Sequence, residues 1–102
     1  MTTPSYQSFG LMDLQIRIDP DARTMYVVMG HSGEMAMETR EIDERRALDY
    51  DLKGDLVGVE FLDIDEGVDL DGVPHAARIA RALSVMRGVE WTWSEGPSSP
   101  AS

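Results

Sequence analysis

Residues 49–60, DYDLKGDLVGVE, restrict the folds open to this chain more than any other segment. The two leading aspartates, the first glycine and the final glutamate have the spacing of a helix–loop–helix calcium loop. The second half of the segment argues against such a loop, because valines on both sides of Gly58 disfavour the exit helix that it requires. Lys53 would also place an ammonium group among the ligands of the ion. We therefore predict two antiparallel strands that turn at Lys53 and Gly54, with Gly58 as a bulge or a point of close approach.

The segments before this hairpin alternate apolar and polar residues, as strands with one solvated face do. Residues 14–19 (LQIRID) and 24–29 (TMYVVM) are close enough in the sequence to pair as a second hairpin. Residues 34–46 are ambiguous, because the methionines alternate as in a strand, whereas Glu41 and Arg45 have the spacing of a helical pair. The pattern alone leaves both strand and helix open there.

The clearest helix pattern covers residues 75–88, HAARIARALSVMRG. Pro74 suits the first turn of a helix, and Gly88 stands where a C-cap is expected. The apolar residues with helical spacing are Ile79, Ala82, Leu83 and Met86. We therefore predict an α+β fold, in which a small antiparallel sheet of about five strands and two hairpins carries one C-terminal helix on one face.

The chain has 102 residues, enough for one modest hydrophobic core. Both ends are rich in Ser, Pro and Gly, which predicts a flexible N-terminus over residues 1–12, a single domain over 13–93 and a disordered tail over 94–102. The absence of cysteine excludes disulfides and thiol chemistry. Neither a signal peptide nor an apolar run of about 18 residues is found, so the predicted location is cytoplasmic.

Charge narrows the choice of partners. The chain carries 19 acidic and 9 basic residues, a net charge of -10. Such a field repels phosphate backbones and acidic lipids, so we expect neither direct nucleic-acid binding nor membrane binding. A basic protein, a divalent cation, or mimicry of nucleic acid towards a host enzyme remain open.

The sequence contains no recognisable catalytic motif. His31 and His75 are the only histidines, and neither belongs to a known nucleophile, metal or phosphate-binding pattern. We therefore predict a protein without catalytic residues or cofactor. The alternative function is divalent-cation binding, for which the candidate ligands are Asp49, Asp51, Asp63, Asp65 and Glu66.

Four residues are candidates for binding a protein partner. Trp91 and Trp93 alternate on a short strand, where they would complete the core or anchor a homodimer. Arg78 and Arg81 lie off the apolar stripe of the helix. Because a small open sheet also has edges to cover, we expect a non-enzymatic interaction module that forms a homodimer.

The chain from Ile16 to Ile64 resembles the YuzE-like domain of unknown function, a family of small bacterial and phage proteins. The resemblance is carried by IRIDPDARTMYVVM, by TREID and above all by LDYDLKGDLVGVEFLD. It implies a strand over residues 36–43 and a mostly antiparallel sheet. It implies no established activity, so no catalytic residue is transferred, although an antitoxin-like role follows by analogy from members beside toxin-like genes. The helix and the two tryptophans lie beyond the shared pattern.

Overall fold

The computed structural model describes residues 7–11, 14–29 and 36–94, and for residues 7–11 it describes the backbone alone. Most of the predicted flexible N-terminus and all but the first residue of the predicted tail therefore lie outside the described residues. The described chain contains one large sheet, one helix and a small two-stranded sheet.

The large sheet has six antiparallel strands in the spatial order β1-β2-β3-β6-β5-β4. The strands are Gln7–Leu11 (β1), Leu14–Asp19 (β2), Thr24–Val28 (β3), Glu38–Asp43 (β4), Arg46–Tyr50 (β5) and Leu56–Phe61 (β6). The two predicted hairpins are confirmed as β2–β3 and β5–β6. The backbone N–H of Gly54 donates to the carbonyl of Asp51 at 3.0 Å, so the segment that resembles a calcium loop is the turn of a hairpin.

Two strands of the sheet, β4 and β1, were not predicted by the alternation of apolar and polar residues. The ambiguous segment contains β4, which pairs with β5 and lies at one edge of the sheet. The strand implied by the family resemblance is thus confirmed, and the helical spacing of Glu41 and Arg45 is incidental. Strand β1 forms the opposite edge by pairing with β2, and it was not predicted because QSFGL is short, contains a glycine and lacks a sustained period of two.

The hydrophobic core lies between one face of the sheet, called here the inner face, and the single helix. The helix, Ala76–Leu83 (α1), buries its apolar stripe in the same cluster as the sheet residues. The buried inner-face residues are Leu14, Ile16, Met25, Val27, Leu48, Val59 and Phe61. The buried helical residues are Ala76, Ile79, Ala80, Ala82 and Leu83. Full burial of each large side chain contributes about 1.5–3 kcal/mol, so this contact fixes the two-layer α+β arrangement that was predicted.

The helix is shorter than the sequence pattern predicted. It ends at Leu83, and the N–H groups of Val85 and Met86 donate three residues back to Ala82 and Leu83, as in a tightening last turn. Val85 is 66% exposed, so continuing the helix would bury little there. Gly88, the predicted C-cap, instead occupies a left-handed position with φ 86° in the following loop.

A short parallel pair holds both ends of the helical segment. After a 3-10 turn at Ile64–Glu66, strand Val68–Asp69 (β7) pairs with Trp91–Thr92 (β8), beyond the helix. Trp91 is partly buried against the core, and so is the neighbouring Trp93. This position agrees with their predicted role in completing the core, while their role in a dimer stays a prediction.

Candidate functional site: the outer face of the sheet

The face of the large sheet opposite α1, called here the outer face, carries mostly polar side chains. The strand register places them in two cross-strand rows. The first row is Arg17, Tyr26, Glu60, Ala47 and Glu41. The second row is Gln15, Val28, Gly58, Asp49 and Thr39. Five neighbouring strands therefore present a continuous surface that α1 does not cover.

A carboxylate held by two hydroxyl groups lies within the second row. The phenol of Tyr26 donates to Asp49 Oδ2 at 2.8 Å, and the hydroxyl of Thr39 donates to Asp49 Oδ1 at 2.6 Å. Because both oxygens accept a bond, the carboxylate is fixed in orientation while retaining lone pairs for a further donor. We call Tyr26, Thr39 and Asp49 the Asp49 cluster.

The Tyr26 phenol remains a hydrogen-bond donor at physiological pH. Burial raises its pKa well above the ordinary value, and the hydrogen bond to Asp49 raises it further. Glu60 also raises the pKa of Tyr26, whereas Arg17 lowers it, which agrees with their positions beside the ring in the first row. The electrostatics therefore favour a neutral tyrosine beside Asp49.

Gly58 makes room for the Tyr26 ring. A β-carbon built on Gly58 would lie 2.7 Å from Cε2 of Tyr26 and closer still to Cζ and the phenol oxygen. Gly58 is not among the described glycines with positive φ, so the glycine is required by space and not by backbone conformation. The predicted close approach is therefore confirmed, and the β5–β6 register also shifts immediately beyond the Asp49–Gly58 pair, where a bulge was the other expectation.

The outer face is predominantly negative. Glu41 and Glu60 are exposed and Asp49 is half-buried, whereas Arg17 is the one cation in the two rows. Closely spaced carboxylates on one surface attract cations and repel anions. Basic side chains are the matching chemistry for this face.

The five acids predicted as alternative metal ligands serve separate local structures. Asp51 Oδ1 accepts the backbone N–H groups of Lys53 and Asp55, each at 2.9 Å, and so stabilises the β5–β6 turn. Asp49 belongs to the cluster on the outer face. The remaining candidates lie at the 3-10 turn: Asp63 at its start, followed by Asp65 and Glu66. Within residues 14–29 and 36–94, no group of three or more His, Asp or Glu side chains is placed to hold a metal ion.

The candidate partner-binding residues divide into two kinds. Trp91 and Trp93 are partly buried against the core. Arg78 and Arg81 are exposed on the side of α1 that faces away from the sheet. The structure thus separates the tryptophans, which support the fold, from the arginines, which are accessible.

Sequence reasoning missed a structural arginine, Arg46. Its side chain is 11% exposed, and its guanidinium donates to Asp43 Oδ2 at 2.9 and 3.1 Å. It also donates to the backbone carbonyls of Asp69, at 3.0 Å, and Asp71. The bonds from the Arg46 guanidinium to Asp43, together with that of the Arg45 backbone N–H, lower the pKa of Asp43. Arg46 therefore attaches the segment before α1 to the sheet, and only its place in the pair RR at the start of β5 could have suggested this.

Two described concavities near this arginine are small. One, lined in part by Arg45, Arg46 and Phe61, has a volume of about 40 Å³. The other, beside Glu44 and Glu60, has a volume of about 60 Å³. A water molecule occupies about 30 Å³ and small-molecule sites about 300–1,000 Å³, so these concavities have the size of hydration sites.

The fold and this surface define a small two-layer α+β domain with an acidic outer sheet face. The sequence model of a family described as "Protein of unknown function (DUF2283)" matches residues 15–64, and the chain belongs to this family. The match runs from β2 to the 3-10 turn and includes the whole Asp49 cluster and Gly58, while α1 and β8 lie beyond it. No curated protein and no solved structure matches the chain. In the described part, no helix is long and apolar enough to cross a bilayer.

Proposed function

We propose that this chain is a non-enzymatic interaction module whose outer sheet face binds a basic segment of another protein. An antitoxin-like or other regulatory role is the narrower form of the proposal, and it rests on the family resemblance alone. The observation that carries the proposal is the Asp49 cluster on an open, negative sheet face.

The geometry of the Asp49 cluster favours a lysine or arginine of the partner. The carboxylate is already oriented by Tyr26 and Thr39, so a cation that binds it does not have to order the side chain first. Arginine presents several N–H groups in a plane that suits carboxylates, and it also stacks on aromatic rings such as that of Tyr26. The half-buried Asp49 would anchor one cation, and the exposed Glu41 and Glu60 would attract others.

Exposed ion pairs contribute only about 0.2–1 kcal/mol each, so a single contact does not give a stable complex. Several contacts along a basic segment, together with the partly desolvated Asp49, are needed for useful affinity. The net charge of -10 adds long-range attraction, which raises the association rate with a basic partner.

Two further observations support a binding role over catalysis. The two concavities beside Arg46 have volumes of about 40 and 60 Å³, far below that of a substrate site. The pKa of Tyr26 is raised, so this phenol is further from acting as an acid or a nucleophile near neutral pH.

The test is an NMR titration of the ¹⁵N-labelled protein with a short arginine- and lysine-rich peptide, compared with a peptide in which glutamine replaces the cations. We expect amide shifts centred on Tyr26, Asp49, Gly58 and Glu60, and none with the neutral peptide. The double variant Glu41→Gln/Glu60→Gln should weaken binding about tenfold, or about 1.4 kcal/mol.

The matched control is Asp65→Asn/Glu66→Gln, which removes the same charge at the 3-10 turn. We expect it to change the dissociation constant less than about twofold, since exposed charges at a distance are screened. Equal weakening by both double variants would show that net charge alone attracts the peptide, and shifts confined to α1 would place the binding surface elsewhere. Either result contradicts the proposal.

A further inference from the structure

We infer that a second copy of this chain binds the outer face through the exposed side of its helix α1, so that the chains associate head to tail. The inference deepens the proposed function because it uses the same acidic face, and it rests on that function only where competition with a basic partner is concerned.

Charge is unevenly divided along the chain. Residues 72–89 contain three arginines, Arg78, Arg81 and Arg87, and no acid. All 19 acidic residues lie outside this segment. Within the part of the chain that the structure describes, neither Arg78 nor Arg81 forms an ion pair. Helix α1 therefore carries accessible positive charge without a neighbouring acid on a strongly negative protein.

The two charged surfaces lie on opposite sides of the domain. Helix α1 covers the inner face, so its exposed residues point away from the sheet, whereas the acidic outer face is on the other side of the same sheet. A molecule cannot bring its own helix to its own outer face without unfolding. The charge complementarity can be satisfied only between two molecules.

The same geometry excludes a symmetric dimer through either surface. A two-fold axis would place helix against helix or outer face against outer face, and each arrangement would bring like charges together. A heterologous contact, with the helix of one copy on the outer face of the next, pairs opposite charges. Arg78 and Arg81 follow one line of the helix surface, three residues apart. This line can lie across the strands that carry Glu41, Asp49 and Glu60.

Net charge gives the association an unusual dependence on salt. Two copies that each carry a charge of -10 repel one another at long range. The screening length is about 30 Å at 0.01 M salt, about 8 Å at 0.15 M and about 3 Å at 1 M. Association should therefore be strongest near 0.15 M, where the long-range repulsion is screened and the contacts between arginine and carboxylate are retained.

A consequence for function is competition. A copy bound through α1 would occupy the Asp49 cluster, so a basic partner would have to displace it. Binding of such a partner would then convert associated chains into separate one-to-one complexes.

Sedimentation velocity tests the inference. We expect the average sedimentation coefficient of the wild-type chain to rise with concentration in 0.15 M salt, and to rise less in 0.01 M and in 1 M salt. The variant Arg78→Gln/Arg81→Gln should remain monomeric, and so should Glu41→Gln/Glu60→Gln. Mixed together, these two variants retain one intact interface, so they should form a one-to-one dimer and nothing larger.

Each control variant has the same net charge as the test variant with which it is compared. Arg23→Gln/Arg40→Gln matches the helix variant, and Asp65→Asn/Glu66→Gln matches the outer-face variant; both should associate as the wild type does. Monomeric wild-type protein at all three salt concentrations would overturn the inference, and so would association that survives both test variants. Because the helix variant keeps its outer face, its unchanged binding of the basic peptide would leave the proposed function standing even if self-association failed.

Discussion

The close approach of Tyr26 to Gly58 gives the sharpest test of how the outer face is built. In Gly58→Ala, the new β-carbon would overlap the end of the Tyr26 ring, with Cε2 at 2.7 Å and the phenol end closer. The backbone of Gly58 needs no special φ, so the ring has to give way. Moving it breaks the 2.8 Å bond from the phenol to Asp49.

The expected change in stability follows from two opposing terms. A hydrogen bond to a charged group contributes about 1.5–3 kcal/mol, and solvent screening at a half-buried site reduces this figure. Alanine in a strand is about 0.5–1 kcal/mol more favourable than glycine, because less backbone entropy is lost. We therefore expect Gly58→Ala to lower the free energy of unfolding by about 1 kcal/mol.

The control is the same substitution in a Tyr26→Ala background. With the ring absent, nothing opposes the new methyl group, and Gly58→Ala should stabilise the protein by about 0.5–1 kcal/mol. The change of sign corresponds to a coupling energy of about 1.5–2 kcal/mol between the two positions. The variant Tyr26→Phe removes the bond but keeps the ring, so Gly58→Ala should still meet the ring there.

Urea unfolding followed by tryptophan fluorescence measures all four corners of this double-mutant cycle, provided that the slope of the transition is the same in each. If Gly58→Ala destabilises the protein equally with and without the Tyr26 ring, the glycine serves the backbone and not the ring. Such a result would contradict the packing of the Tyr26 ring against Gly58.

Two further predictions concern the bonds that Arg46 makes to Asp43 and to the backbone carbonyls of Asp69 and Asp71. Arg46→Lys should lower the free energy of unfolding by about 1.5–3 kcal/mol in urea unfolding, because lysine cannot reach Asp43 and two backbone carbonyls together. The control Arg40→Lys changes an exposed arginine and should leave the unfolding midpoint unchanged, so equal effects of the two substitutions would contradict the structural role of Arg46. The pKa of Asp43 is lowered in the folded protein. The ionised carboxylate therefore stabilises the fold above the ordinary aspartate pKa of about 4, and this stabilisation is lost as the pH falls through the lowered pKa of the folded state. Acid titration monitored by circular dichroism should show that the stability gap between wild type and Asp43→Asn narrows below about pH 4, and a constant gap would refute the assignment.

Local patterns predicted the parts of the fold that depend on neighbouring residues. The alternation in LQIRID and the Lys53–Gly54 turn predicted two hairpins, and the apolar stripe of Ile79, Ala82, Leu83 and Met86 predicted the buried side of the helix. The residues of β4 are almost entirely exposed. Burial therefore selects neither the period of two of a strand nor the period of 3.6 of a helix, and the sequence pattern is ambiguous. Pairing with β5 decides its structure, and such pairing is not encoded within the strand itself.

The candidate site was less accessible to sequence reasoning because its contacts are not local. Gly58 was recognised as a point of close approach, but the side chain that approaches it comes from β3, far along the chain. Asp49 was considered as a calcium ligand, and its two hydroxyl donors come from two other strands. The end of α1 was misplaced because Met86 keeps the helical spacing and packs against the core, although the α-helix already ends at Leu83.

The position of α1 outside the family match has a consequence for the matched residues on their own. The matched residues 15–64 form a sheet whose inner face is hydrophobic. Ile16, Val27 and Val59 on this face are fully buried because α1, which lies outside the match, packs over them. The limits of sequence similarity therefore cut through a folding unit instead of enclosing one. A relative that lacks the helix would have to cover its hydrophobic face in another way, for example with the sheet of a second copy. The same hairpins can therefore occur in proteins with different quaternary structures.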